Sequence, residues 1–364
     1  MEEKDLIEKV TSLFCLDSPI VSCEPYGNGV INKTYLAKSQ NGKRYILQKL
    51  SQEAFKNIPA LMENIRKVTD YLGEKNGENS PVILPVKTKN GGIYIENEDG
   101  YYRMTPYAEN TIAYDAVESP EDFYKTALGF GKFISALKDF PADSLVETIP
   151  NFHNTPDRYR IFHEALERDS AGRKKEVQKE IDFLLEREAE MGLLQRERES
   201  GKIPSRVTHN DTKLNNILFD ADSKKPAYVI DLDTVMPGLS LYDYGDCVRF
   251  GAATAAEDEP DTEKMEINLD LYRVFTRGFL EACQGLTKRE IELLPLGAKT
   301  ITVELAMRFL TDYLNGDTYF AIKYPEHNLV RCRAQEKLAL SMEKNWEAMQ
   351  SILREECERA GSRL

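Results

Sequence analysis

The sequence predicts an α+β fold in two lobes: a small, strand-rich lobe over residues 1–107 and a larger, mainly helical lobe over 108–364. Three observations predict it. Short runs with β patterning crowd the first 105 residues around one long helical stretch. Helical periodicity takes over from Ser119 and persists to about Ala360. The stretch 106–116 between them reads as a linker.

In chain order, Asp5–Phe14 is patterned as a short amphipathic helix, and Ile20–Tyr26, Lys33–Ala37 and Arg44–Lys49 read as strands. From Glu53 to Lys75, Ile58, Leu61, Ile65, Val68 and Leu72 recur at helical intervals. Gly92–Glu96 and Tyr101–Met104 then pair around a turn, completing a five-stranded antiparallel sheet with one helix on it. Ser119-Pro120-Glu121-Asp122 is a helix start, with a capping serine, proline in the first turn and acids at the positive end. The charged stretch 157–200 reads as two helices, the second over Arg173–Arg198 with Val177, Ile181, Leu184 and Leu185 on one packed face. Helices follow near Leu269–Cys283, Lys288–Leu294, Gly297–Asn315 and Arg331–Ala360.

Composition narrows the function. A net charge of −13 disfavours a nucleic-acid binder, which would carry a basic patch. It also gives an anionic ligand no long-range attraction, so local cations must neutralise one. The six scattered cysteines form no Cys-x-x-Cys pair, which argues against zinc and for free thiols in a reducing cytoplasm. The opening residues carry no basic-then-apolar pattern, so no secretory signal is expected, and no apolar run is long enough to span a membrane.

The chemistry concentrates in His209-Asn210-Asp211-Thr212-Lys213-Leu214-Asn215-Asn216, followed by Tyr228-Val229-Ile230-Asp231-Leu232-Asp233. This is the order of polar groups that ATP-dependent phosphoryl transfer to a hydroxyl requires. Asp211 can orient the hydroxyl and accept its proton. Asn216 and Asp231 can hold Mg²⁺ against nucleotide phosphates, because two protein oxygens plus phosphate oxygens and waters are a normal complement for that ion. Strands at 216–219 and 227–230, around a turn, would bring Asn216 and Asp231 together.

Three features of the first lobe fit an ATP cleft. Tyr26-Gly27-Asn28-Gly29-Val30-Ile31-Asn32 places Gly27 and Gly29 between strands, where backbone N–H groups could approach phosphate, with Asn32 in the place of a third glycine. Lys49 closes a strand and could pair with the α- and β-phosphates, anchored by Glu63 of the following helix. Met104 and Pro106 lie where the lobes join and could offer backbone to the adenine edge, although Pro106 has no N–H.

These residues resemble the phosphotransferase family of aminoglycoside kinases, choline kinases and their relatives, which implies a protein-kinase-like two-lobed fold. The longer blocks Asp231-Leu232-Asp233-Thr234-Val235-Met236-Pro237-Gly238, Tyr242-Asp243-Tyr244-Gly245-Asp246 and Arg249-Phe250-Gly251-Ala252 resemble the N-acetylhexosamine 1-kinases most closely, over nearly the whole chain. The resemblance implies transfer from ATP, with Mg²⁺, to the anomeric hydroxyl of N-acetylglucosamine or N-acetylgalactosamine. It implies Asp211 as base, Asn216 and Asp231 as metal ligands, and Asp233 as a further metal ligand or a group behind one. It also points to Arg308, Tyr319 and Trp346 for the sugar. Asp246 and Arg249 are expected as a buried pair bracing the catalytic loop, and His209 as a brace rather than a base.

Two other readings compete. One is a kinase of another small hydroxyl compound on the same fold: choline, an amino alcohol, an aminoglycoside or a non-acetylated sugar. The other is a non-catalytic nucleotide-binding scaffold, which would be expected to have lost Asp211, Asn216 or Asp231.

Overall fold

The computed structural model describes residues 3–27 and 31–361. After helix α1 (Glu3–Thr11) come β1 (Ile20–Pro25), β2 (Lys33–Ser39), β3 (Arg44–Leu50), α2 (Ile58–Asn76), β4 (Tyr94–Asn97) and β5 (Gly100–Pro106). The five strands form one antiparallel sheet in the order β1-β2-β3-β5-β4. Its two faces bury different things. Tyr45 and Leu47 of β3, with Tyr102 and Met104 of β5, pack with Val10 and Phe14 beside α1. Leu50, on the other face, joins the core built on α2, which runs on into the rest of the molecule. Helix α2 starts later than the periodicity suggests, at Asn57, whose side chain accepts from Ala60 N, with Pro59 in the first turn.

The larger lobe follows as β6 (Thr111–Ile112), α3 (Pro120–Ala136), α4 (Thr155–Arg168), α5 (Gln178–Leu185), α6 (Glu188–Met191), α7 (Leu193–Glu199), β7 (Arg206–Thr208), β8 (Ile217–Asp220), β9 (Pro226–Val229), β10 (Met236–Gly238), α8 (Ser240–Gly251), α9 (Leu269–Ala282), α10 (Lys288–Glu292), α11 (Leu294–Leu314), α12 (His327–Lys344) and α13 (Trp346–Arg359). Ser119 caps α3 through Asp122 N, as its sequence predicts. The single charged helix expected over Arg173–Arg198 is instead three short ones. Arg187 Nη1 takes the Phe183 carbonyl at the end of α5, and the chain turns again at Gly192, which keeps Val177, Ile181, Leu184, Met191 and Leu194 on one core.

Helix α11 is buried along most of its length and crosses α8 at unusually close range. A methyl group at Gly245 would lie 2.5 Å from the Gly297 carbonyl oxygen, and one at Gly297 would lie 2.6 Å from that of Leu241. Only paired glycines permit this approach, and it seats α8 directly behind the catalytic segment. No described helix is long and apolar enough to cross a membrane.

Candidate active site

The centre is built by two short antiparallel pairs. β7 pairs with β10 and β8 with β9, so the polar turn 209–216 and the Asp-Leu-Asp turn leave the same edge side by side. Ile230 N donates to Asn216 O at 2.9 Å, which sets Asp231 next to Asn216. Asn216 Nδ2 donates to Asp211 O at 2.8 Å and to Asp211 Oδ2 at 3.2 Å, leaving Asn216 Oδ1 for another partner. The three polar positions picked out by their spacing therefore do meet.

Two residues here adopt left-handed backbone, Asn210 at φ 63° and Asp231 at φ 59°. Such conformations cost least for Asn and Asp, and they persist where surroundings hold them. Asp243, on the first turn of α8, does so: its Oδ2 accepts from His209 N and its Oδ1 from Asn210 N, both at 2.8 Å. Burial lifts the Asp243 carboxyl to about 6, against the opposing pull of His209 and the two backbone donors. Asp246 and Arg249 form the buried pair that was anticipated, at 2.9 Å, and Asp246 Oδ2 accepts from Thr212 N. His209 lies wholly buried, with Nε2 2.8 Å from the Ile230 carbonyl and Nδ1 accepting from Asp211 N, so both ring nitrogens are engaged in bracing the loop. Lys213, two residues past Asp211, sets its ammonium 2.8 Å from Asp211 Oδ1.

Burial, and then the charge of Asp233, push Asp231 up to about 6. A carboxylate raised in this way, open to solvent at the edge and beside a free amide oxygen and Asp211, is a donor set that a divalent cation would satisfy. Among the described residues no three His, Cys, Asp or Glu side chains cluster into a ready-made metal cage. A metal here would rest on Asn216, Asp231 and ligand oxygens.

Asp233 is placed differently from a free ligand. Asn32 Nδ2 donates to its Oδ2 at 2.7 Å and Arg103 Nη1 to its Oδ1, so the small lobe grips both oxygens. Asn32 also accepts from Ser51 N at 3.0 Å. Of the loop glycines, Gly27 has φ 75°, a backbone that favours glycine, while Gly29 lies outside the described residues.

The lysine–glutamate pair expected of Lys49 and Glu63 is not formed. Lys49 shares the face of Tyr45 and Leu47 and binds Asp99 at 2.5 Å, in the turn between β4 and β5. Glu63 is paired with Arg66 on the exposed side of α2. The buried polar residue of α2 is Asn64, which donates to the carbonyls of Val146 and Val235 and accepts from Val146 N. At the lobe junction, Met104 turns its side chain into the α1-side core and its carbonyl already accepts from Val86 N, which leaves it one lone pair for an adenine edge; Pro106 is the last residue of β5.

Arg308 and Tyr319 line one cavity of about 180 Å³, together with Arg158, Asp312 and Phe320. The Arg308 guanidinium lies 5.3, 5.9 and 5.6 Å from the rings of Phe152, Tyr319 and Phe320. Burial, and then the nearby charge of Arg308, hold Arg158 below its ordinary value. The one acid in the wall, Asp312, is occupied by the backbone N–H groups of Thr318, Tyr319 and Phe320 and by Asn328. Trp346 does not reach this cavity. It opens α13, packs against the α11 core and carries Lys299 over its ring, because the break at Asn345 turns it away. Phe152 and His153 also line a second, polar cavity of about 220 Å³ beside Asn210.

Sequence reading missed Asp243, Asn64 and Arg103, and it noted Asn32 only in the place of a third glycine and not as a partner of Asp233. Only Asp243 left a signal, as the first acid of the Tyr-Asp-Tyr-Gly-Asp run.

The family model described as the phosphotransferase enzyme family, APH, matches residues 22–278. Among solved structures, the chain is similar to an aminoglycoside phosphotransferase from Alicyclobacillus acidocaldarius, with 16% identity, TM-score 0.60, and 97% of this chain and 96% of that one covered. It is likewise similar to spectinomycin phosphotransferase in complex with ADP and spectinomycin, at 15% identity, TM-score 0.61 and coverage of 94% and 99%. A Plasmodium vivax ethanolamine kinase aligns at 15% identity and TM-score 0.54, over 86% of this chain and 82% of that one. The fold is thus the two-lobed, protein-kinase-like one: a small antiparallel sheet over a larger helical part.

Proposed function

Because the chain belongs to the phosphotransferase enzyme family, we propose that it transfers the terminal phosphoryl group of ATP to the anomeric hydroxyl of an N-acetylhexosamine. The observation that carries the kinase reading is the convergence of Asp211, Asn216 and Asp231 at one edge. Residues 1–107 would serve the nucleotide and 108–364 the chemistry and the acceptor.

In this reading Asp211 orients the acceptor hydroxyl and takes its proton. An anomeric hydroxyl is more acidic than other sugar hydroxyls, so orientation outweighs base strength, as suits a largely dissociative transition state. Lys213 sets positive charge beside Asp211, where the transferring group must pass. Asn216 Oδ1 and Asp231 would hold Mg²⁺, which neutralises phosphate charge when bound. Asp233 steadies that turn from behind rather than donating to the metal.

The charge of the cavity under Tyr319 supports this acceptor. Two arginines and an acid already occupied make it a poor host for a cationic amino alcohol or aminoglycoside, which would want carboxylates or an open aromatic cage. It suits a neutral ligand rich in hydrogen-bond acceptors, such as sugar hydroxyls and an acetamido carbonyl, with Tyr319 and Phe320 covering the apolar parts. The competing acceptors are aminoglycosides and ethanolamine, for which the similar kinases are named.

The test is Mg²⁺-dependent ADP release with N-acetylglucosamine, N-acetylgalactosamine, their 1-O-methyl glycosides, and ethanolamine. Turnover with the free sugars alone is expected. Turnover with the glycosides would move the transfer to another hydroxyl, and turnover with ethanolamine alone would overturn the sugar assignment.

A further inference from the structure

We infer that Arg103, and not a lysine of β3, supplies the cleft's positive charge to the nucleotide phosphates. The inference rests on the reading of the protein as an ATP-dependent kinase.

The strand register carries the argument. Leu47 pairs with Met104, Gln48 with Arg103 and Lys49 with Tyr102. Side chains alternate between faces, so Gln48 and Arg103 share the face opposite the one that Lys49 shares with Leu47 and Met104. That opposite face carries Leu50 into the α2 core and looks toward the Asp-Leu-Asp turn. The cleft-facing position of β3 is therefore an uncharged amide. Lys49 is on the far side, held by Asp99 and lying 5.7 Å from the Tyr102 ring.

Arg103 fills the gap. Its side chain is 7% exposed, the least exposed cation gripping the catalytic turn. Nε donates to Gln48 Oε1 at 2.9 Å and Nη1 to Asp233. Nη2 has no protein acceptor among the described residues. Gln48 itself is steadied by Thr34 Oγ1 at 3.3 Å. The guanidinium is thus fixed on two of its three nitrogens, close enough to Asp231 for their charges to interact, with the third nitrogen free to donate. A planar, permanently charged fork of this kind matches phosphate oxygens. The same arrangement explains the missing acid on α2. A lysine reaching from β3 needs a glutamate to aim it, whereas Arg103 is aimed by Gln48 and Asp233, and α2 is left to present Asn64.

The rival account is that Arg103 only braces Asp233. Nucleotide binding separates the two, because adenosine shares the ring and ribose of ATP but no phosphate. Binding of ATP with Mg²⁺ and of adenosine would be measured by calorimetry on the full chain and on its Arg103→Met, Arg103→Lys and Lys49→Met variants, with thermal melts alongside. Arg103→Met is expected to weaken ATP by about 10- to 100-fold, the value of a charged hydrogen bond, and to leave adenosine unchanged. Arg103→Lys should recover much of that loss, and Lys49→Met should bind both ligands like the parent. Parallel loss of ATP and adenosine in Arg103→Met, with no rescue by lysine, would overturn the inference in favour of a brace. So would a large, ATP-specific loss in Lys49→Met. A parent chain that bound no ATP would remove the kinase reading, and this inference with it; a parent that bound ATP beside an unaffected Arg103→Met would remove only the role of Arg103.

Discussion

Replacing Asp243 with alanine would strip the catalytic loop of two backbone partners at once. Both carboxylate oxygens accept N–H groups of consecutive residues, His209 and Asn210, and all three residues are buried. Among the described residues no other acceptor reaches those two amides. Leaving a buried donor unmade costs about 1–3 kcal/mol, so the pair costs about 2–6 kcal/mol. Over 364 residues, an unfolding entropy of about 2.1 cal/mol/K per residue converts this to a melting-temperature drop of about 3–8 °C. Activity should fall further than stability. Asp211 follows Asn210 directly, Asn210 is held left-handed by that bond, and a shift of about 1 Å in a reacting group costs about 10²-fold. Asp243→Asn keeps one acceptor oxygen but turns an NH₂ toward the second N–H, so its melting drop should be about half as large. The assay is a pair of melts by circular dichroism with ADP release measured well below the melting point. An alanine variant melting within about 1 °C of the parent, with unchanged kcat, would refute the reasoning.

Three further outcomes are expected. Gly245→Ala drives a methyl into the backbone of Gly297 rather than into a movable side chain, so it should cost about 1–3 kcal/mol and, because α8 carries Asp243 and Asp246, lower kcat as well; melts and turnover check it. Glu336, pushed up to about 7 by burial and then by the charge of Glu180, keeps in the folded chain a proton that the unfolded chain loses near its ordinary value of 4.5. Its contribution is therefore fully present below about pH 4.5 and is lost as pH rises through 7, so Glu336→Gln should stabilise by about 1–3 kcal/mol at pH 8 and by little at pH 4.5, as read from melts at the two values. A chelator should abolish ADP release and excess Mg²⁺ restore it, whereas Asp231→Asn should melt normally and stay inactive at any Mg²⁺ concentration; activity in that variant would remove Asp231 from the metal site.

What could be read from the sequence divides by how far apart the interacting residues lie. The strands of the small sheet, the capping of α3 and the meeting of Asp211, Asn216 and Asp231 depend on neighbours within about one hairpin, and local pattern expresses them. Lys49 failed for want of a register: a step of one residue along a strand reverses the face, and Gln48 and Lys49 are indistinguishable until Arg103 is known to sit opposite Gln48. Asn64, Asn32 and Arg103 act on partners 171, 201 and 130 residues away, and nothing in their own surroundings announces it. The charged stretch ending at Arg198 kept its apolar spacing while bending twice, because periodicity records which residues face a core and not whether that core is flat. Trp346 was a plausible sugar platform by residue type alone, and its direction depends on the break between α12 and α13.

The hydrogen bonds of Asn64 bear on how such a reaction can be governed. Kinases that use a lysine–glutamate pair can be silenced by swinging the helix that carries the glutamate, which gives a modification or a partner protein a lever. Here α2 carries no such acid toward the cleft, and it is bolted through Asn64 to Val146 and Val235, three bonds worth about 1.5–4.5 kcal/mol together. A swung-out α2 would be a rare state, and reaching it would not disconnect Arg103 of β5 from Asp233. The lever is missing and its socket is filled. In the proposed kinase, control exerted by swinging α2 would have to break all three of these hydrogen bonds first.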